Sequence, residues 1–223
     1  MSVNRLEKLA PLSGIAMVVF WSTFGFVLIS SFDDFPTGEQ IIEVFRKYPA
    51  RIQVGAFLSG SWGAALMILF AGFLFSTLRR DVDESLGLPA TAFGGGVVSA
   101  MAMALGSDCL LLAINLTRSP GSISPEVAYS LYNLSMLMLT GVFATGLAVF
   151  VGATGLAALR TRVFPVWFGW SSVFVAIGLI TPFFYGFEVL ALLWILVASI
   201  MFYQRGTSKI KFSDKQKLAR ETN

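Results

Sequence analysis

From Leu88 to Leu116 the chain carries a single charged side chain, Asp108, in a run that is otherwise apolar or small. A hydrocarbon core about 30 Å thick is crossed by roughly 20 helical residues. Inside it no water meets the backbone, so the peptide groups must pair within the segment, and a helix does that. Five further runs have the same character. The six spans are expected at about 12–32, 52–77, 88–116, 128–159, 164–184 and 188–204. Only 13% of the 223 residues are charged and 56% are hydrophobic, against about 25% charged in a water-soluble domain. That much apolar surface has no place in a soluble core of this size. The expected fold is all-α, a polytopic bundle of six transmembrane helices.

Lysine and arginine orient the bundle. Twelve of the 16 fall in 1–11, 78–87, 160–163 and 205–223, and the other four are Arg46, Lys47, Arg51 and Arg118. Basic residues collect on the cytoplasmic side, so both termini are expected there. Arg5 and Lys8 precede the first run as in a signal peptide. That run is too long, and no small-x-small site follows it, so it reads as a retained span. The fourth run exceeds one span and is expected to tilt or protrude. Pro89 and Pro165 open spans three and five, where a missing N–H costs little. Pro182 is expected to bend or stop span five, and Gly186 to allow a tight turn into span six.

The first outer loop, DDFPTGEQIIEVFRKYPAR, holds Thr37 three places before Gln40, a capping-box spacing. Ile41, Val44, Phe45 and Tyr48 then share one helical face, so a short amphipathic helix is expected at about 38–48. Its apolar face would lie in the interface or over the bundle. A lid is the functional reading and a plain connector the preferred one. The tail 205–223 is basic and can attract anionic lipid, although a solvated tail that enforces topology is the simpler reading. The basic residues sit beside spans, which argues against nucleic acid as a partner.

Small residues recur every four positions in three spans: Gly55, Ser59 and Gly63, then Ala92, Gly96, Ala100 and Ala104, then Thr140, Ala144, Ala148 and Gly152. Close backbone approach holds helices together where lipid gives no hydrophobic gain. Spans two, three and four are therefore expected at the centre. Asp108 is the next step after Ala104. A mid-span carboxylate costs about 2.5–3.5 kcal/mol on insertion scales, so it is expected to face the protein. It lies about 13 Å below the outer end of its span. Asn133, with Tyr129 and Tyr132 on the same or the next turn, falls near that depth, and together with Asn115, nearer the outer end, they complete an expected outward-facing polar cluster. Arg51 and Glu188 are expected at its rim, Glu188 also being favourable beside a helix N-terminus.

Histidine is absent and Cys109 is the one cysteine. The commonest metal ligand, the commonest general base and any cysteine-pair redox motif are thereby missing. No metal ion, cofactor or catalytic residue is expected. The glycines of AFGGGVVSA lack the strand–turn–helix setting of a phosphate loop and read as packing.

The segments FRKYPARIQVGAFLSG, LRR and RTRVFPVWFGW resemble an uncharacterised family of bacterial multi-pass membrane proteins with about six spans and a domain-of-unknown-function label. The resemblance implies a bacterial cytoplasmic membrane and supplies no site residues. Three roles compete for Asp108. It binds a small or amphiphilic molecule or fixes the bundle in a non-enzymatic protein, which is the leading expectation. It titrates in a small proton-coupled transporter. Or it serves a membrane-embedded lipid-modifying enzyme. Homo-oligomers are expected, because six short-looped helices leave little room for a private pore.

Overall fold

The computed structural model describes residues 10–29, 36–79, 87–118, 123–161, 164–181 and 184–221, with side chains outside 24–29, 184–185 and 205–221. Seven helices and no strand occur among the described residues. They are α1 (Leu12–Ile29), α2 (Gly38–Lys47), α3 (Pro49–Arg79), α4 (Leu88–Arg118), α5 (Pro125–Thr161), α6 (Val166–Leu179) and α7 (Phe184–Glu221). Four stretches are long and apolar enough to cross a membrane: α3, α4, α5 and Gly186–Gln204 of α7. The chain is therefore a membrane protein. Leu12–Thr23 of α1 and all of α6 are apolar but shorter.

Span six differs from expectation at both ends. Gly186 lies inside α7, which starts at Phe184, so it makes no turn. The α7 backbone also stays helical through the basic tail to Glu221, because polar residues such as Lys and Gln are good helix formers. Pro182, Arg5, Lys8, Arg80 and Arg162 lie outside the described residues.

The expected capping box is present. Thr37 N–H donates to Gln40 Oε1 at 2.7 Å, and Gln40 N–H donates to Thr37 Oγ1 at 3.4 Å. Two orphan donors at the start of α2 are thus satisfied. The apolar face of α2 buries Ile41, Ile42 and Phe45 over α5 and α4, while Tyr48 stays exposed. Gly38 abuts the Pro125 carbonyl so closely that a side chain there has no room. Pro49 then begins α3, with Tyr48 alone between it and the end of α2.

Consecutive long helices pack side by side, and α7 returns against α1, closing a ring of α1, α3, α4, α5, α6 and α7. α5 leans into its middle. Phe150 meets Phe70 of α3 and Trp194 of α7 edge-on at 6.0 and 5.9 Å. Phe143 lies 4.7 Å from the Trp21 ring of α1. Phe70, Phe143 and Phe150 are fully buried, so aromatic rings fill the centre.

The small-residue stripes mostly face inward as expected: Gly55, Ser59, Gly63, Ala92, Gly96, Ala100, Ala144 and Ala148 are buried. One close approach is between Gly95 of α4 and Gly146 of α5, where backbone meets backbone. A Cβ on Gly95 would lie 2.8 Å from the Gly146 carbonyl oxygen, and one on Gly146 would lie 2.7 Å from Ser99 N. Both flanking helices also contain a π-helical turn, Leu58–Gly63 in α3 and Leu137–Val142 in α5. The two turns press on one stretch of α4: Gly60 against Ser107, Gly63 against Met103, and Leu139 against Gly106.

Candidate functional site

α3 leaves its Pro49 start with Arg51, Val54, Gly55 and Leu58 at three- and four-residue spacing, which places them on one face. Phe20 and Thr23 of α1 stand opposite. Between the two helices lies a groove of about 410 Å³, within the roughly 300–1,000 Å³ range of small-molecule sites. Its walls are almost wholly apolar. The Thr23 hydroxyl is turned back onto its own helix, donating to the Val19 carbonyl at 2.8 Å. Val54 is 59% exposed, so the groove is open sideways to whatever surrounds the bundle. Arg51, also exposed, is the charged group among the lining residues and sits at the end near Pro49. The π turn begins at Leu58 and closes the other end.

On the opposite side of α3, Gln53 ties that helix to α4. Its amide nitrogen donates to Asn115 Oδ1 at 3.3 Å, and its carbonyl oxygen accepts from an Arg118 guanidinium N–H at 3.2 Å. Asn115 therefore belongs to an inter-helix strut, not to a cluster with Asp108.

Asp108 overturns the expected orientation: it is exposed, on the outward face of α4. The reason is the pitch. A helix turns about 100° per residue, so each step of four drifts about 40°, and four steps from Ala92 to Asp108 accumulate about 160°. Ala92 and Ala100 are buried, Ala104 is partly exposed and Asp108 is outside. Ser107, Gly106 and Leu110 take the inward positions at that level. Tyr129 and Asn133 are also exposed, and no described hydrogen bond joins them to Asp108. On α5 the inward side is marked by Ala128 and Ser135, and Asn133 stands about 140° round from Ala128. Tyr132 packs against the apolar core. The five residues expected around one pocket are thus not gathered into one: Asn115 shares the outward face of α4 with Asp108 but stands about 10 Å further along it, Tyr129 and Asn133 are exposed on α5, and Tyr132 turns to the core.

The acidic group that does enter the ring is Glu188. It is partly buried near the start of α7, and the Trp21 indole N–H donates to its Oε1 at 3.0 Å. Trp21 in turn packs against Phe143, so one chain of contacts joins α7, α1 and α5. Sequence reading placed Glu188 at a rim and missed Trp21, because the pair is 167 residues apart. It also missed a buried hydroxyl pair between α3 and α4, Ser59 Oγ and Ser107 Oγ at 3.3 Å. The Ser135 hydroxyl, fully buried beside the second π turn, has no hydrogen-bond partner among the described residues.

Comparison with family models, with curated proteins and with solved structures finds no match for this chain.

Proposed function

We propose that the protein is a non-enzymatic component of a bacterial cytoplasmic membrane, with six spans and both termini cytoplasmic, that holds an amphiphilic molecule taken sideways from the lipid. The observation that carries this reading is the apolar groove between α1 and α3 with Arg51 at its end. An acyl chain matches the walls contributed by Phe20, Val54 and Leu58. An anionic headgroup matches the positive charge that Arg51 carries at the end of the groove. Under the proposed topology Arg51 stands at the outer surface, where headgroups lie. Transport through the bundle has less support, because Phe143, Phe150 and Trp194 fill the centre and Asp108 stands outside it.

The test uses purified protein in nanodiscs of mixed phosphatidylglycerol and phosphatidylcholine, followed by native mass spectrometry of the lipid each protein retains. Wild type is expected to retain phosphatidylglycerol preferentially. Arg51→Glu is expected to lower that retention about tenfold, equivalent to about 1.4 kcal/mol. Val54→Trp, a substitution at an exposed position, is expected to fill the groove and release both lipids. Unchanged retention in both variants, with unchanged melting temperature, would refute the reading.

A further inference from the structure

The groove between α1 and α3 has two ends of different kinds. Arg51 stands at one, and its Cα–Cβ bond leans toward the start of α3, as every such bond in a helix does. At the other end Leu58 begins the π turn, and α1 packs across that turn. A chain lying in the groove therefore has no straight way past Leu58. The flank between the two ends is open, because Val54 is exposed. Length follows from the helix. Arg51 and Leu58 are seven residues apart, a rise of about 10 Å. C–C bonds of about 1.5 Å meeting at about 111° advance an extended hydrocarbon by about 1.25 Å per carbon. About eight carbons thus span the groove. One leaflet of hydrocarbon is about 15 Å deep, half of the roughly 30 Å core. A chain that reaches the middle of the membrane is therefore longer than the groove and has to leave through the open flank.

We infer that the groove selects anionic lipid by the shape of its acyl chain, taking a chain that turns outward after about eight carbons and so preferring one with a cis double bond near its middle. The inference rests on the lipid-binding reading proposed above and names the class of lipid. A cis double bond builds the turn into the covalent structure. A saturated chain makes the same turn only by holding its torsions in one bent arrangement, and loses rotational freedom in doing so. A trans double bond keeps the chain straight where it has to turn. Surrounding lipid is as apolar as the walls formed by Phe20, Val54 and Leu58, so burial alone gives little preference between chains. Shape then decides which chain stays, and Leu58 is the residue that sets where the turn falls.

The test offers the purified protein phosphatidylglycerols with oleoyl (cis at the ninth carbon), elaidoyl (trans at the ninth), petroselinoyl (cis at the sixth) or stearoyl (saturated) chains. They are equal minor guests in a fluid phosphatidylcholine of shorter chains. Retained lipid is extracted and its chains are separated by gas chromatography. Oleoyl is expected to be enriched about fivefold over elaidoyl and stearoyl, the factor that corresponds to immobilising one flexible chain. Petroselinoyl, bent too early, is expected to fall between. Leu58→Ala opens the closed end and is expected to remove the preference while total phosphatidylglycerol retention holds. Leu58→Met, which conserves volume, is expected to keep it. The four-chain comparison on wild type stands whatever Leu58→Ala does to the fold. Equal retention of the four chains that still depends on Arg51 would overturn the inference and leave lipid binding in place. So would a preference that survives Leu58→Ala at unchanged melting temperature. Retention indifferent to Arg51→Glu would remove the lipid-binding reading itself, and the inference with it.

Discussion

Gly146→Val is expected to prevent the bundle from assembling, with a loss of about 3 kcal/mol or more in the folded state. The added Cβ would lie 2.7 Å from both Ser99 N and Ser99 Oγ and 3.0 Å from the Gly95 carbonyl oxygen. Two of those three atoms are backbone, and backbone in a helix cannot rotate aside as a side chain can. α4 and α5 would have to separate, and close backbone packing of this kind is what holds helices together in lipid. Overpacking a core typically costs about 1–3 kcal/mol, and more when the obstacle is rigid. The Phe143 and Phe150 rings, on the same helix, would be displaced from the centre with it. The same experiment carries its own control. Gly94, one residue from Gly95, has nothing within 4 Å of the point where a Cβ would stand. Gly94→Ala is therefore expected to be neutral or slightly stabilising, since alanine exceeds glycine in helix propensity by about 1 kcal/mol. Melting temperature and monodispersity in detergent measure both. Equal effects at Gly94 and Gly146 would show that the close approach is not what holds the pair.

The contrast between neighbouring glycines also shows what a one-dimensional reading of this chain can and cannot give. Apolar run length marked α3, α4 and α5 to within a few residues, because the length of a span is set by bilayer thickness. The capping box at Thr37 was legible because its two hydrogen bonds join residues three apart. The small-residue stripes were legible over two or three steps. They failed for Asp108 because a repeat of four departs from 3.6 residues per turn, and the error grows with each step. The π turns carry no such mark. Each changes the backbone register within a span without altering its hydropathy, so LSGSWG and LMLTGV read as ordinary span sequence. The groove depends on which side of α1 meets α3. Arg51 stood out in the sequence, but Phe20 and Thr23 of α1 became its neighbours only when the ring closed.

Ring closure itself rests on Trp21, and Trp21→Ala is expected to be the second most damaging substitution. It removes a ring that packs against Phe143 and the N–H that Glu188 accepts from. Truncating a buried tryptophan to alanine costs about 3–5 kcal/mol in well-packed cores. Two milder changes separate the hydrogen bond from the packing. Trp21→Phe keeps an aromatic ring beside Phe143 but leaves the Glu188 carboxyl without its donor, and Glu188→Leu leaves the indole N–H without an acceptor. Hydrogen bonds between helices in a membrane are worth about 0.6 kcal/mol on average and about 1.7 kcal/mol at most. Each single change is therefore expected to lower stability by about 1 kcal/mol, and the double change by less than their sum. Glu188→Gln, whose amide oxygen still accepts, is expected to stay near wild type. The same variants connect this hydrogen bond to the groove. Phe20 and Thr23 line the groove from the helix that Trp21 anchors, so loosening α1 moves one whole wall. Trp21→Phe is expected to lose several-fold in phosphatidylglycerol retention although no groove residue has changed, and Glu188→Gln is expected to lose none. Full additivity in the double change, or retention that ignores Trp21→Phe, would separate the two sites and leave the indole as packing alone.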